Sequence, residues 1–188
     1  MGLREDKKLA TWREIRRVAL DLFARDGFEQ TTVEQIAQAA GVSRATFFNY
    51  FSGKEAVVFD EDPEERERWQ QTMATRPPEE SLWEALTAVL LEFSESLRDR
   101  MPIQRRLKAT SPHLAQITEN FGARFRSDLH TWAAGREPGP DPLDRSLQVN
   151  IALTSLGTAY QTWPADEDFD DYLDRVRRCL TAAAPRPT

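Results

Sequence analysis

Apolar residues recur at spacings of three and four along most of the chain, a pattern that predicts helices. The first predicted helix covers about residues 11–26 and ends at Gly27. The last two cover about residues 143–163 and the stretch around residues 169–180. No segment alternates apolar and polar residues as a half-buried strand does, and no internal repeat is present. The sequence therefore predicts an all-α fold of about nine helices.

The stretch Thr31–Glu55 predicts two short helices joined by a turn at Gly41. Thr32 and Gln35 have the spacing of a capping box at the start of the first helix, and Ser43 is the expected N-cap of the second. Glycine adopts the backbone conformation that a sharp helix exit requires. Two helices joined by a short glycine-containing turn form the helix-turn-helix, whose second helix lies in the DNA major groove.

Further helix boundaries follow from serine and proline residues. Ser52 is expected to cap the next helix with Glu55 at the box position, and Pro63 predicts a break in that helix. Residues 76–78, Arg-Pro-Pro, predict a linker. Ser81 then begins a strong amphipathic helix with its own capping box.

Charge is distributed unevenly along the chain, whose net charge is −6. Residues 1–54 hold nine Lys and Arg against seven Asp and Glu, whereas the remainder holds sixteen against twenty-four. This asymmetry fits a DNA-facing N-terminal part and an acidic body. Arg13, Arg16 and Arg17 lie on the polar side of the first helix, either as phosphate contacts or as a solvated surface.

Other classes of function find little support in the sequence. The single cysteine, Cys179, excludes a disulfide within the chain and a cysteine-based zinc cluster, and His113 and His130 lie seventeen residues apart. There is no glycine-rich phosphate loop or nucleophile elbow, so we expect no enzyme activity, cofactor or metal. No apolar run could span a membrane, and the charged N-terminus lacks a signal-peptide core, so a cytoplasmic protein is expected.

The C-terminal pair of helices has the character of a dimer interface. The helix at residues 143–163 is apolar or small on nearly every face, so it must be buried in its own core or against another subunit. Two such helices suit a two-fold four-helix bundle, although both could instead close the core of a monomer. The candidate interface residues are Leu147, Ile151, Ser155, Thr158, Phe169, Leu173 and Val176.

Large aromatic and aliphatic residues are frequent in the body of the chain. Together they could enclose an apolar ligand, although any single aromatic residue at helical spacing is more often core. The pocket candidates are Trp83, Leu86, Leu90, Phe93, Leu107, Phe121, Phe125 and Trp132. Arg105, Arg106 and Lys108 lie beside this stripe and could hold a phosphate-bearing ligand or form a solvated face.

The N-terminal quarter of the chain resembles the DNA-binding domain of TetR-family transcriptional regulators. The resemblance rests on Phe-x-x-x-Gly-Phe from Phe23, Thr-Thr-Val-x-x-Ile-Ala-x-x-Ala-Gly-Val-Ser from Thr31, Thr-Phe-Phe-x-Tyr-Phe from Thr46, and Lys-Glu at Lys54. It implies a helix-turn-helix domain at residues 1–55 and a helical ligand-binding and dimerisation domain at residues 56–188. It also implies a homodimeric repressor that leaves a palindromic operator when a small effector binds. Acyl-coenzyme A is one candidate effector.

Carried over residue by residue, the resemblance implies that one set of side chains meets double-stranded DNA: Thr32, Ser43, Arg44, Ala45, Thr46, Phe48, Asn49, Tyr50 and Lys54. Arginine can bind guanine, asparagine can bind adenine, and alanine or threonine can contact the thymine methyl group. Many relatives carry tyrosine where this chain has Phe48, so a phosphate donor is lost there. The alternative hypothesis is an all-helical interaction or enzyme domain with an incidental helix-turn-helix.

Overall fold

The computed structural model describes residues 2–116, 122–136, 141–164 and 166–185. Over these residues the chain forms eleven helices and no strand, which confirms the all-α prediction. The helices are α1 (Leu3–Asp26), α2 (Val33–Ala39), α3 (Arg44–Tyr50), α4 (Lys54–Phe59), α5 (Glu65–Ala74), α6 (Leu82–Glu95), α7 (Met101–Thr110), α8 (Pro112–Gln116), α9 (Ala123–Ala134), α10 (Pro142–Gln161) and α11 (Phe169–Ala182).

The count exceeds the prediction because two predicted helices are divided. The break expected near Pro63 separates α4 from α5. Gly122 adopts a left-handed conformation (φ 75°) immediately before α9, so α8 and α9 are distinct helices. Helix α1 also begins eight residues earlier than predicted, and the basic residues near the N-terminus belong to its first turns.

Two compact units are present, and the first consists of Met1–Pro63 and Ile103–Thr118. Its hydrophobic core collects one buried side chain or more from each of α1 to α4, and Leu107 and Leu114 belong to the same core. The carbonyl oxygen of Val58, near the end of α4, accepts hydrogen bonds from Arg16 (3.1 Å) and from the buried Gln104 (2.8 Å). These donors satisfy a helix-terminal carbonyl that has no partner within its own helix.

The predicted cap at Ser52 is wrong. Helix α4 begins one residue later than expected, its N-cap is Gly53, and no side chain caps it. The buried Phe51 leaves α3 in an extended conformation, and the chain uses Ser52 and Gly53 to turn before α4. The Glu55 carboxylate lies 3.0 Å from Nε2 of His113 instead of bonding to a cap.

The second unit consists of Glu64–Pro102 and Glu119–Thr188. Within it α6 packs against α5, α10 and α11, and α9 packs against α5 and α10. The rings of Phe93 and Phe125 stack nearly parallel at the centre, 3.7 Å apart between centroids. Trp69 meets both rings edge-on. Aromatic side chains thus form much of this core.

The segment at residues 76–78 is a turn between α5 and α6 rather than a linker between units. The guanidinium of Arg136 donates to the carbonyl oxygens of Pro77 (2.8 Å) and Glu80 (3.1 Å). Arg76 also pairs with the Glu80 carboxylate. The two prolines therefore end a helix inside a folded unit. Over the described residues, no helix has the length and apolar character needed to cross a bilayer.

Candidate nucleic-acid interface

The turn between α2 and α3 has the hydrogen bonds that the sequence predicts. Thr32 Oγ1 accepts from the backbone N–H of Gln35 (3.2 Å), and Gln35 Oε1 accepts from the backbone N–H of Thr32 (2.7 Å). Gly41 takes a left-handed conformation with φ of 66°. Ser43 Oγ accepts from the backbone N–H of Thr46 (3.0 Å) and caps α3. The left-handed Gly41 ends α2 and the Ser43 cap begins α3 within four residues, so together they fix the direction of α3.

Helix α3 has one face in the core and one face in solvent. Phe47 is fully buried, and Phe51 just after the helix is buried against Trp12, with ring centroids 5.3 Å apart. The other side is exposed and carries four of the predicted groove-facing residues, Arg44, Ala45, Phe48 and Asn49. A fifth, Thr46, is half-buried at the edge of this side. Phe48 leaves 43% of its surface exposed although it is a large aromatic residue. The helix therefore presents a mixed apolar and hydrogen-bonding face.

Arg44 is oriented by two neighbours on this surface. Its Nε lies 2.7 Å from a carboxylate oxygen of Glu34, which belongs to α2. Its guanidinium carbon lies 5.0 Å from the centre of the Phe48 ring, in cation–π geometry. Both partners of the ion pair are well exposed, so the pair contributes only about 0–1 kcal/mol to stability. Sequence reasoning missed Glu34, because only the crossing of α2 and α3 brings it to Arg44.

Tyr50 and Lys54 lie at the edge of this surface and are half-buried. The Lys54 ammonium donates to the carbonyl oxygen of Phe28 (2.8 Å) and lies 4.5 Å from the centre of the Phe28 ring. Tyr50 packs against the core of the first unit. An ammonium has three N–H donors, so Lys54 can meet a phosphate while it keeps this bond.

Three arginines of α1, Arg13, Arg16 and Arg17, are engaged within the protein. Arg16 is buried and donates to the carbonyl oxygens of Asp60 (2.7 Å) and Val58 (3.1 Å). Arg13 donates to both carboxylate oxygens of Asp62 (3.0 and 3.2 Å). Arg17 pairs with acidic residues one turn away on either side along α1. Arg16 therefore joins α1 to the end of α4, a role that the sequence does not reveal.

The pocket candidates do not form one group. Leu86, Leu90, Phe93 and Phe125 are buried together in the second unit, and Trp83 and Trp132 pack half-buried against them. Leu107 instead belongs to the core of the first unit. Phe121 lies outside the described residues. The basic residues Arg105, Arg106 and Lys108 belong to the first unit, where the Lys108 ammonium lies 4.9 Å from the centre of the Phe59 ring.

The predicted dimer residues separate into an exposed set and a buried set. Leu147 (53%) and Ile151 are exposed on α10, together with Thr158 and with Leu143 (77%), which sequence reasoning missed. Ser155 is buried and donates to the carbonyl oxygen of Ile151 (3.0 Å).

The assignment of the α11 residues to an interface is wrong. Phe169, Leu173 and Val176 are buried in the chain's own second core, because α11 turns its apolar stripe toward α6 and α10. A second copy could not cover these side chains.

No cluster of metal-ligating side chains is present among the residues that the structure describes. His113 is paired with Glu55 and lies with its ring 6.4 Å from that of Phe28, centroid to centroid. Its environment is that of a structural contact within the first unit.

The fold and the exposed face of α3 define a helix-turn-helix protein. Residues 15–60 match the family model described as bacterial regulatory proteins, tetR family. The chain is 30% identical over 169 residues to the putative mycofactocin biosynthesis transcriptional regulator MftR of Mycobacterium tuberculosis, covering 86% of this chain and 83% of that protein. The chain therefore belongs to the TetR family of transcriptional regulators, as the sequence motifs imply.

Solved structures show the same fold. The fatty acid degradation regulator FadR from Bacillus halodurans has a TM-score of 0.56 at 19% identity, covering 90% of this chain and 94% of that one. The regulator FadR from Bacillus subtilis, solved in complex with stearoyl-CoA, has a TM-score of 0.51 at 17% identity. The match covers 92% of this chain and 97% of that one. At these identities the likeness concerns the fold alone.

Proposed function

We propose that this chain is a homodimeric repressor that binds a palindromic operator and leaves it when a small, largely apolar effector binds. The observation that supports DNA binding is that α3 has one side in the core and one in solvent. Phe47 is buried, whereas Arg44, Phe48 and Asn49 are exposed. An arginine, an asparagine and small or apolar side chains on one helix face are the groups that read base edges in the major groove.

Contacts with phosphate position this helix on the duplex. Thr32, Ser43 and Thr46 carry hydroxyls beside the turn, and Tyr50 and Lys54 flank it. Such side chains supply the sequence-independent part of the affinity. We assign DNA binding to the first compact unit, which extends beyond the predicted boundary at residue 55 because it includes α4 and residues 103–118. Ligand binding is assigned to the second unit. The proposal includes a cytoplasmic location and no enzyme activity.

A mobility-shift assay on the DNA upstream of the chain's own gene tests this assignment. The full chain should bind a palindromic fragment more tightly than random DNA, and its affinity should fall steeply as salt is raised. Arg44→Ala should lower specific affinity about 5- to 150-fold, the equivalent of 1–3 kcal/mol.

The matched control for that variant is Arg177→Ala, which removes an exposed, acid-paired arginine from α11 and should leave binding unchanged. Absence of binding to any palindromic fragment even at low salt would refute DNA binding. That result would favour the alternative, an interaction or enzyme domain.

Dimerisation through α10 is supported by its exposed apolar residues. Leu143, Leu147 and Ile151 are the large aliphatic residues that stay exposed among the described residues. Their spacing of four places them on one side of the helix, as a contiguous stripe. Exposed apolar stripes of this kind are typical of interfaces between subunits. A two-fold axis beside α10 would pair this stripe with itself.

Sedimentation or light scattering at micromolar concentration tests the dimer. The native chain should be dimeric, and Leu147→Glu should be monomeric because it buries an unpaired charge in the interface. The matched control, Ala74→Glu, adds the same charge at an exposed position of α5 and should stay dimeric. A monomeric native chain, or a dimeric Leu147→Glu, would exclude this interface.

An acyl-coenzyme A is the effector that we propose to test first. The support is the stearoyl-CoA complex of the Bacillus subtilis regulator together with the aromatic core of the second unit in this chain. A ligand that binds only the folded protein raises its melting temperature. Stearoyl-CoA should therefore raise the melting temperature and release DNA, whereas coenzyme A alone should do neither. No shift with acyl chains of any length would exclude this effector class.

A further inference from the structure

Phe48 is the large aromatic side chain that stays exposed among the described residues, at 43% of its surface, and it lies on the face of α3 assigned to DNA. Burying the ring of a phenylalanine is favourable, so an exposed one on a binding face is expected to have an apolar partner in the complex. Its ring carries no hydroxyl and can neither donate to a phosphate nor bond to a base edge. The contact that it offers is purely apolar.

The major groove contains one distinctive apolar group, the methyl at C5 of thymine. Cytosine methylated at C5 presents the same methyl at the same place. Adenine, guanine and unmodified cytosine offer only polar edges there. The chemistry of Phe48 therefore selects a 5-methylpyrimidine.

Arg44 extends this selection to the neighbouring base. Glu34 contacts the guanidinium at Nε, which carries one of its five N–H groups, and the terminal nitrogens carry the other four. Those terminal groups are the donors that bind O6 and N7 of guanine. The guanidinium carbon lies 5.0 Å from the Phe48 ring centre. This separation suits adjacent base pairs, which lie about 3.4 Å apart along the axis and further apart at their groove edges because of the helical twist.

We infer that Arg44 and Phe48 act as one stacked reader of a 5-methylpyrimidine next to a guanine, with Glu34 holding Arg44 in place. The methyl group packs on the Phe48 ring while Arg44 binds the guanine. The inference rests on the proposed DNA-binding function and adds its base preference. It also gives the protein a route to respond to cytosine methylation, because thymine and 5-methylcytosine present the same group.

The test begins with a duplex selected by the full chain from a random double-stranded pool. Four versions of it carry thymine, uracil, 5-methylcytosine or cytosine at each pyrimidine that adjoins a guanine. Comparing thymine with uracil, and 5-methylcytosine with cytosine, isolates one methyl group in each case. Dissociation constants are measured at one salt concentration, with random DNA as the reference.

At one or more of the pyrimidines that adjoin a guanine, loss of the methyl group should weaken binding by the native chain about three- to fivefold. This factor corresponds to the free energy of burying one methyl group. For Phe48→Ala, the ratio of the dissociation constants for uracil and thymine duplexes should be close to one, and so should the ratio for cytosine and 5-methylcytosine duplexes, whatever the overall affinity of the variant. Phe48→Leu, which keeps an apolar side chain, should retain part of the discrimination. Circular dichroism checks that each variant is folded.

Equal affinity for the methylated and unmethylated duplexes at every step would overturn the inference, as would a ratio that survives Phe48→Ala. In either case the selected duplex would still bind more tightly than random DNA, so the proposed function would stand. If the dissociation constants differ only between the thymine and uracil duplexes, Arg44 and Phe48 recognise thymine but not 5-methylcytosine. A difference in both pairs supports a response to methylation.

Discussion

Glu65 and Arg100 form a bidentate ion pair in the interior of the second unit. Both nitrogen–oxygen distances are 2.9 Å, and the side chains are 5% and 11% exposed. The pair joins the first residue of α5 to the turn between α6 and α7. Two parallel hydrogen bonds between a guanidinium and a carboxylate fix relative orientation as well as distance.

Removing one member of this pair should destabilise the fold strongly. Glu65→Ala or Arg100→Ala leaves a buried charge without its counter-ion, and we expect the free energy of unfolding to fall by about 3–5 kcal/mol. The double variant Glu65→Leu/Arg100→Met should be more stable than either single variant, because neither charge remains. Urea titration measures all three. A double variant that is less stable than both single variants would show that the two residues do not act as a pair.

Arg16 should matter for stability more than for DNA affinity. Arg16→Ala removes two hydrogen bonds from a charged donor to the Val58 and Asp60 carbonyls and leaves Val58 with its bond from Gln104 alone, at a cost of about 1–3 kcal/mol. The melting temperature should fall, whereas the affinity of the folded protein for operator should change less than in Arg44→Ala. If Arg16→Ala instead weakens binding to specific and random DNA with no change in melting temperature, Arg16 contacts phosphate.

Helix caps and helix faces could be predicted from the sequence, because they depend on residues that are close together along the chain. The capping boxes at Thr32 and Ser81 are predictable because a cap and its partner lie three residues apart and meet in any helix that begins there. The two faces of α3 follow in the same way from helical periodicity, which places Arg44, Ala45, Phe48 and Asn49 on one side and Phe47 with Tyr50 on the other.

Features set by packing could not be read in this way. The apolar stripe of α11 shows that it must be covered, but not whether its own chain or a second copy covers it. The contact between Glu34 and Arg44, like that between Arg16 and Val58, depends on where two helices cross. One sequence contains no signal for such crossings.

Gly41 should resist substitution because of its backbone conformation. Its φ of 66° is left-handed, and a Cβ at this position would meet nothing within 4 Å, so the strain on an alanine would come from the backbone alone. We expect Gly41→Ala to lower the free energy of unfolding by about 1–2 kcal/mol and to reduce operator binding through the direction of α3.

The matched control is Gly135→Ala, where φ is −86° and the space is also sufficient. That variant should change stability by no more than about 0.5 kcal/mol. Equal losses in the two variants would mean that the left-handed turn is not the cause.

Asp128 should make the second unit sensitive to acid. Its carboxylate accepts two hydrogen bonds from Arg66 (both 2.9 Å), one from the Trp69 indole (2.9 Å) and one from Gln70 (3.2 Å). The Arg66 guanidinium is the main cause that holds the pKa of Asp128 below its ordinary value of 3.8, against the opposing effect of burial. Since the folded pKa is the lower one, this carboxylate stabilises the fold above pH 3.8, and the contribution is lost as pH falls through the folded pKa.

Urea unfolding between pH 7 and pH 2.5 tests this dependence with Asp128→Asn as the variant that cannot ionise. The native chain should be the more stable of the two at neutral pH, and the gap between them should narrow only below about pH 4. Arg66→Met removes the main donor and should raise the pKa of Asp128 toward its ordinary value, so the stability lost in acid should be smaller and should be complete at a higher pH than in the native chain. A gap that stays constant down to pH 2.5 would show that ionisation of Asp128 does not contribute, and that its hydrogen bonds act equally in the protonated form.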